Sequence, residues 1–199
     1  LYLLDQYLVT MELQQIPAAV LFTKEDLNQG ELADYRARYL LAGYPVFSVS
    51  ATAGGDFAEL KSYLWGNTTV LAGPSGVGKS TLTNLLCPVA QMETGELSRK
   101  NARGRQTTRH IELFCLGDNS YLLDTPGFTA VEVRGDSEAL KQAFPEIRAL
   151  EGQCRFKGCN HRAEPDCAVK EAVARGEIAE SRYESYRKMA EEIEERRKY

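Results

Sequence analysis

The stretch from residue 73 to residue 80 matches the phosphate-loop pattern G-x-x-x-x-G-K-[ST] in full. Its residues are Gly73, Pro74, Ser75, Gly76, Val77, Gly78, Lys79 and Ser80. This pattern constrains the fold strongly, because it needs a strand in front of it and a helix behind it to aim backbone N–H groups and the helix N-terminus at an oxyanion. Residues 68–72 predict that strand and the residues up to Leu86 predict that helix, so we predict a phosphate-binding α/β domain.

The loop and a later motif together predict a nucleotide triphosphate site with Mg²⁺. Lys79 can reach the β- and γ-phosphates, Ser80 can ligate the metal, and Thr81 follows in the first helical turn. Asp124 ends an apolar strand at residues 121–123 and begins the sequence Asp-Thr-Pro-Gly. We expect Asp124 to hold Mg²⁺ through a water and the N–H of Gly127 to contact the γ-phosphate. The alternative is a simple turn at this position.

A base-reading tetrad stands before the phosphate loop, whereas a Ras-type GTPase has it after the loop. It consists of Thr23, Lys24, Glu25 and Asp26 and ends an apolar run at residues 18–22. The carboxylate of Asp26 can accept two hydrogen bonds from guanine, and the stem of Lys24 can pack over the base, while Thr23 can tie neighbouring loops together. We expect a backbone N–H at Ser50 or Ala51 to meet guanine O6. The alternative is an accidental loop in an ATP-driven enzyme.

A polar loop lies between these motifs and contains Thr107 and Thr108. We predict that one threonine closes over Mg²⁺ when the γ-phosphate is present, with Thr108 preferred over Thr107; a solvated loop without a ligand is the alternative. Phe128 follows Gly127, where a Ras-type enzyme keeps the glutamine that orients water. Because a phenyl ring cannot do this, intrinsic hydrolysis is expected to be slow.

Three of the five cysteines cluster with a histidine near the C-terminus as Cys154, Cys159, His161 and Cys167. Three thiolates and one imidazole match a closed tetrahedral zinc site, which leaves no open position for catalysis. We therefore predict one structural Zn²⁺ that holds this segment folded. Cys87 and Cys115 lie among apolar residues and are predicted to be core residues.

The chain has 199 residues and a net charge of −4. We predict a GTPase domain at residues 1–135 with a mostly parallel sheet, followed by a zinc-binding and helical domain at residues 136–199, acting as a monomer. The acidic balance argues against a general nucleic-acid coat. No apolar run long enough for a membrane span and no signal segment appear in the sequence, so a cytoplasmic protein without membrane contact is expected.

The order of these motifs resembles that of one family: base-reading tetrad, Ser-Ala, phosphate loop, threonine loop, Asp-x-Pro-Gly and zinc cluster. It is similar to the circularly permuted, small-ribosomal-subunit-dependent GTPase A family, and the likeness extends from residues 5–8 to residues 182–186. The resemblance implies a P-loop GTPase domain that binds GTP or GDP with Mg²⁺. It also implies an OB-fold ahead of the GTPase domain, and this chain begins where that fold would end. Gln106 occupies the place of a histidine implicated in hydrolysis, and a glutamine can orient water.

The resemblance further implies a late maturation factor of the 30S subunit, whose GTP hydrolysis is activated by the subunit and its rRNA. A nucleotide-stabilised RNA-binding module without turnover is the second alternative. A basic stretch has no acid within it and consists of Arg99, Lys100, Arg103, Arg105 and Arg109. It contacts rRNA phosphates on one interpretation and is a solvated loop on the other, and the sequence favours neither.

Overall fold

The computed structural model describes residues 1–24, 29–50, 57–87, 112–125 and 131–196. The chain forms two compact units, and each is built from separate stretches of sequence. The phosphate-loop unit comprises Phe22–Asn28 and Ser48–Thr129, and the helical unit comprises Leu1–Leu21, Gln29–Phe47 and Ala130–Tyr199. The described elements are, in order, α1 (Tyr2–Leu13), β1 (Val20–Thr23), α2 (Gln29–Leu41), β2 (Val46–Val49), α3 (Ala58–Leu64), β3 (Thr68–Leu71), α4 (Lys79–Leu86), β4 (Glu112–Gly117), β5 (Ser120–Asp124), α5 (Ser137–Gln142), α6 (Pro145–Arg148), α7 (Ala168–Ala174) and α8 (Glu180–Arg196).

The phosphate-loop unit contains a three-stranded sheet in the order β3-β5-β4. Strand β3 runs parallel to β5, with Thr68 opposite Tyr121 and Leu71 opposite Asp124. Strands β4 and β5 form the antiparallel hairpin that the sequence predicts. Parallel pairing places the ends of β3 and β5 side by side, so the phosphate loop and Asp124 emerge at the same edge of the sheet.

Two local features shape the hairpin end of this sheet. The hairpin turn has Asn119 in the left-handed region at φ 52°, which asparagine tolerates better than most residues. The indole ring of Trp65 covers Gly117 so closely that no Cβ would fit there. A side chain at residue 117 would therefore displace the Trp65 ring from the hairpin.

The prediction that Cys115 belongs to the core was wrong, since its side chain is exposed. Its strand β4 lies at one side of the described sheet, and the pairing with β5 is irregular between Cys115 and Gly117. Apolar neighbours in sequence do not reveal that a strand lies at a sheet edge, which is why the prediction failed. Cys87 is buried as expected.

Strands β1 and β2 pair with each other in a two-stranded sheet. The N–H of Val20 donates to the carbonyl oxygen of Pro45 at 2.9 Å, at the start of the pairing. Strand β1 consists of Val20–Thr23 at the end of the apolar run at residues 18–22, and strand β2 consists of Val46–Val49. The mixed α/β character and the short parallel strands agree with the predicted fold class.

The helical unit packs around a core drawn from α1, α5, α6, α7 and α8. Its buried residues include Val9, Leu140, Phe144, Ile147, Cys159, Cys167, Val169, Ile178, Tyr186, Met189 and Ile193. Local signals start two of its short helices: the carboxylate of Asp136 accepts a hydrogen bond from the N–H of Ala139 at 2.8 Å, and Pro145 occupies the first turn of α6. Tyr186 and Ile193 of α8 face inward and are buried.

A buried ion cluster joins the two ends of the chain inside the helical unit. Arg182 and Asp5 are each 1% exposed and form a 2.8 Å ion pair, and Arg182 also pairs with Glu146 at 2.7 Å. The Tyr39 hydroxyl donates to Asp5 at 3.0 Å, and the Ser185 hydroxyl donates to the other oxygen of Asp5 at 2.5 Å. Every charge in the cluster therefore has a partner, which buried charges require.

Aromatic rings enclose the guanidinium at the centre of this cluster. Its carbon lies 4.6 Å from the Phe144 ring centroid and 5.7 Å from that of Tyr44. Burial alone would lower the pKa of Arg182, but the carboxylates of Glu146 and Asp5 outweigh it and raise the pKa above its usual range. Burial, with the Asp5 charge, also raises the pKa of Tyr39. Arg182 therefore stays positively charged at neutral pH.

The C-terminal helix α8 begins at Glu180 and ends at Arg196. In the part of the chain that the structure describes, no helix combines the length and apolar character needed to cross a bilayer. The predicted domain boundary between residues 135 and 136 stays a prediction. The two compact units of the structure are each assembled from non-contiguous stretches of sequence.

Candidate functional site

The phosphate loop connects β3 to α4 as predicted. Gly76 and Gly78 have φ angles of 80° and 97°, a left-handed conformation that glycine adopts without steric cost. Helix α4 starts at Lys79 directly after Gly78, so Ser80 and Thr81 lie in its first turn. The loop backbone and the α4 N-terminus therefore form the type of cradle that binds phosphate oxygens.

Lys79 folds back over this loop. Its ammonium group donates to the carbonyl oxygens of Gly73 at 2.8 Å and Pro74 at 2.9 Å. Partial burial lowers the pKa of Lys79, and the charge of Asp124 opposes that shift. The positive charge is thus held at the mouth of the loop by backbone acceptors.

Thr23 and Lys24, the first two residues of the predicted base-reading tetrad, contact the phosphate loop directly, although the two motifs are far apart in sequence. The hydroxyl of Thr23 donates to the carbonyl oxygen of Val77 at 2.6 Å. The ammonium of Lys24 donates to the carbonyl oxygen of Gly76 at 3.2 Å, and Lys24 itself has a φ of 59°. Thr23 therefore ties the end of β1 to the phosphate loop, and its role toward a nucleotide stays a prediction. The end of β1 and the phosphate loop therefore form one continuous surface.

The metal side of the site brings Ser80 and Asp124 together. The Ser80 hydroxyl donates to Asp124 Oδ2 at 3.2 Å. Within the described residues, the buried oxygen Oδ1 of Asp124 has no hydrogen-bond partner. A buried carboxylate oxygen without a donor is costly unless a ligand satisfies it. The pair thus fits the Mg²⁺ position, where a hydroxyl binds the ion and a carboxylate holds its water.

Sequence analysis missed one residue of this region. The hydroxyl of Thr125 donates to the carbonyl oxygen of Leu71 at 2.7 Å, so it links the end of β5 to the end of β3. Its position directly after Asp124 is the signal that would have identified it. Ser50, predicted at the base site, is buried directly after β2.

Several predicted site residues lie outside the described residues, and their roles stay predictions. These are Glu25, Asp26, Ala51, Gln106, Thr107, Thr108 and Gly127, together with the basic stretch Arg99, Lys100, Arg103, Arg105 and Arg109.

The predicted zinc ligands converge in the helical unit. The ligand atoms of Cys154, Cys159, His161 and Cys167 all lie within 4.8 Å of one another. His161 Nδ1 lies 3.5 Å from Cys154 Sγ and 3.4 Å from Cys167 Sγ, and these two sulfurs are 3.9 Å apart. Zn–S bonds of about 2.3 Å in a tetrahedron would separate ligand atoms by about 3.5–3.8 Å. The four residues therefore fit a tetrahedral zinc ion.

The protonation of two of the four ligand residues, Cys159 and His161, also depends on their burial. Burial raises the pKa of the Cys159 thiol to about 12, with the nearby Cys167 sulfur adding to the effect of burial and the His161 N–H opposing it. Burial lowers the pKa of His161, which favours the neutral imidazole that a metal binds. A metal ion that binds here would displace the thiol protons and supply the positive charge that buried thiolates need.

Comparison with known proteins gives a consistent family match. The sequence model of the RsgA GTPase family matches residues 1–134. The chain is 44% identical to "Small ribosomal subunit biogenesis GTPase RsgA" from Agathobacter rectalis over 99% of this chain and 66% of that protein. It is 47% identical to the protein of the same name from Clostridium perfringens, over 98% of this chain and 68% of that protein.

Two solved structures are also similar. "YloQ, a circularly permuted GTPase" superposes with a TM-score of 0.77 at 34% identity, covering 98% of this chain and 63% of that one. YjeQ from Thermotoga maritima superposes with a TM-score of 0.72 at 38% identity, covering 96% and 65%. These likenesses confirm the predicted circularly permuted α/β fold. The chain spans about two thirds of the length of the proteins that it matches.

Proposed function

The chain belongs to the RsgA GTPase family, and from this premise we propose that it hydrolyses GTP in the maturation of the small ribosomal subunit. The observation that carries the proposal is the contact between the tetrad and the phosphate loop, where Thr23 donates to the carbonyl oxygen of Val77 at 2.6 Å. This contact brings a guanine-reading segment and a triphosphate-binding loop to one surface, although the permutation separates them in the chain. A single bound GTP accounts for that arrangement.

The phosphate end of the site stabilises negative charge. The backbone N–H groups of the loop and the N-terminus of α4 surround the β- and γ-phosphates, and Lys79 leaves its backbone acceptors to contact them. Ser80, Asp124 and Thr108 are proposed to hold Mg²⁺, because Oδ1 of Asp124 has no hydrogen-bond partner among the described residues and would be satisfied when the ion binds. Mg²⁺, when bound, neutralises charge that develops as the γ-phosphoryl group is transferred to water.

The base end of the site selects guanine. Asp26 accepts hydrogen bonds from N1–H and the exocyclic amine, the stem of Lys24 packs over the ring, and the backbone near Ser50 and Ala51 contacts O6. Glu25 completes the tetrad, and Gly127 contacts the γ-phosphate. Gln106 orients the attacking water, because Phe128 cannot. The contact between Lys24 and Gly76 supports this assignment by fixing the tetrad beside the loop.

The partner and cofactor proposals follow from the relatives' names and from the cysteine cluster. The relatives are named for small-subunit biogenesis. We therefore assign this chain the small subunit and its rRNA as activating partners, and we propose that it acts as a monomer in the bacterial cytoplasm.

One structural Zn²⁺ binds Cys154, Cys159, His161 and Cys167. The end of the family match at residue 134 supports a GTPase domain over residues 1–135 and a zinc-binding domain over residues 136–199.

The test is nucleotide turnover with and without purified small subunits. The purified chain is incubated with GTP, ATP or XTP and Mg²⁺, and released phosphate is measured. The full-length relative from Agathobacter rectalis serves as the positive control. The present chain matches 66% of the length of that relative. We expect slow intrinsic GTP turnover, on the order of 10⁻⁴–10⁻² s⁻¹, and faster turnover with subunits.

Each other outcome points to a specific alternative. Equal turnover of ATP and GTP would contradict guanine selection and favour an ATP-driven enzyme. GTP binding without turnover, under conditions where the control is stimulated by subunits, would favour a nucleotide-stabilised RNA-binding module.

A further inference from the structure

The backbone around His161 is held by side chains that do not bind the metal themselves. The N–H of Asn160 donates to Oε1 of Glu164 at 2.8 Å, and the N–H of Arg162 donates to Oε2 of the same carboxylate at 2.9 Å. One carboxylate therefore fixes the residues on both sides of His161. Such charge-assisted hydrogen bonds to backbone N–H groups are stronger than neutral ones.

Two tyrosines of α8 hold the carbonyl oxygens of the same segment. The hydroxyl of Tyr183 donates to the carbonyl oxygen of His161 at 2.7 Å, and that of Tyr186 donates to the carbonyl oxygen of Asn160 at 2.9 Å. The Tyr186 ring is buried and packs edge-to-face on Phe144 at 5.4 Å between centroids. The packing of its ring holds Tyr186 in place. The two tyrosines therefore attach the backbone around His161 to helix α8.

These four hydrogen bonds maintain an uncommon backbone conformation. His161 has a φ of 55°, in the left-handed region that non-glycine residues seldom adopt. Residues held in that region cost free energy and persist only when surrounding contacts fix them. In this conformation Nδ1 of His161 lies at ligand spacing from the sulfurs of both Cys154 and Cys167.

We propose that Glu164, Tyr183 and Tyr186 are positioning residues that preorganise the His161 imidazole for zinc. This inference rests on the proposed zinc site. Preorganisation raises affinity because the cost of ordering the ligand is met during folding and not during binding. Residues around metal ligands act in this manner in many metal sites.

The charge state of Glu164 agrees with this role. Burial alone would raise the pKa of Glu164, but hydrogen bonds from the backbone N–H groups of Asn160 and Arg162 outweigh it and lower the pKa to about 2. The carboxylate is therefore ionised at neutral pH and accepts both bonds.

The test is a metal titration of the purified chain, stripped of metal under reducing conditions. Co²⁺ is the probe, because a tetrahedral Cys₃His site gives it visible d–d absorption, and Zn²⁺ competition then yields zinc affinity. Glu164→Ala is expected to weaken Co²⁺ binding by roughly 10–100-fold. Glu164→Gln keeps one acceptor oxygen and should show a smaller loss, while Tyr183→Phe should lose roughly 3–10-fold. Release of zinc to a chelator should accelerate in the same order.

The matched control is Glu184→Gln, which removes the same charge from an exposed position on α8 and should leave Co²⁺ affinity unchanged. Circular dichroism establishes that each variant is folded before titration, and Glu164→Gln and Tyr183→Phe remain informative if Glu164→Ala does not fold. Folded variants that bind Co²⁺ within about twofold of the parent chain would overturn the proposal and leave only a structural role. A parent chain that binds neither metal would instead overturn the zinc site itself.

Discussion

The phosphate-loop unit and the helical unit hold their functional groups in opposite ways. In the phosphate-loop unit, the predicted nucleotide-binding residues lie on loops at strand ends. Side chains such as Thr23 and Lys24 donate hydrogen bonds to neighbouring backbone carbonyls. In the helical unit, buried side chains bind one another, with Arg182 at the centre of an ion cluster and the cysteines in a buried group. In the phosphate-loop unit, Oδ1 of Asp124 has no hydrogen-bond partner among the described residues and is available to a ligand. In the helical unit, the ion cluster satisfies its charges within the protein, and the cysteine group is the predicted site of a metal ion.

This difference teaches where function and stability should respond to mutation. Substitution of a loop residue with few buried contacts can change the affinity for nucleotide while the free energy of unfolding changes little. A buried charge with fixed partners has the opposite effect, because its removal leaves other charges uncompensated. The two units therefore predict a separation between variants that lose activity and variants that lose stability.

The largest expected effect is on stability, from Arg182→Ala. The substitution leaves the carboxylates of Asp5 and Glu146 buried without their cation, so the free energy of unfolding should fall by about 3–5 kcal/mol. Urea denaturation followed by circular dichroism measures the change. Arg187→Ala, at an exposed position on the same helix, should change it by less than about 0.5 kcal/mol. A loss below about 1 kcal/mol for Arg182→Ala would show that the cluster contributes no more than a surface pair.

The second effect is on catalysis, from Lys79→Ala. Removal of the cation that contacts the transferring phosphoryl group should lower GTP turnover by about 10²–10³-fold. Its unfolding free energy should stay within about 1 kcal/mol of the parent, because its acceptors are backbone carbonyls at the loop surface. Phosphate release and urea denaturation on the same preparation test both parts. Lys61→Ala, on α3, is the control and should alter neither; equal turnover in the two variants would remove Lys79 from the phosphate site.

The smallest effect is expected at the tie between the tetrad and the phosphate loop. Thr23→Val removes the hydroxyl that donates to the Val77 carbonyl while keeping the shape of the side chain. We expect GTP affinity to fall by roughly 2–10-fold, as for one lost hydrogen bond, in fluorescence titration with a labelled nucleotide. Thr23→Ser retains the hydroxyl and should bind like the parent chain. If Val and Ser variants bind equally well, the hydrogen bond does not align the two motifs.

The same contrast explains what could be predicted from the sequence. The phosphate loop, the β4–β5 hairpin and the zinc ligands are local patterns, so their residue types and spacing reveal them. The pairing of Asp5 with Arg182 joins residues 177 positions apart, and a charge on a highly charged helix is ordinarily solvated. Neither periodicity nor spacing shows that it turns inward. The exposure of Cys115 was missed for a related reason, because edge position depends on sheet order.

The bracing of His161 by Glu164, Tyr183 and Tyr186 was also beyond sequence reasoning. The spacing of the two tyrosines along α8 can indicate an inward face, but the backbone atoms that they bind depend on the path of the cysteine loop. That path follows from tertiary packing and from a left-handed residue, which no local propensity indicates.

The central claim is that the tetrad and the phosphate loop hold one GTP between them, and base selection by Asp26→Asn tests it most directly. The amide of asparagine presents a donor where the carboxylate presents an acceptor, which suits the carbonyl oxygen of xanthine and not the amine of guanine. GTP, XTP and ATP affinities are compared for the parent and the variant. The account predicts a loss of GTP affinity of roughly 100-fold, for two charge-assisted hydrogen bonds, together with a gain for XTP. An Asp26→Asn variant that keeps the parent's preference for GTP over XTP would contradict the account.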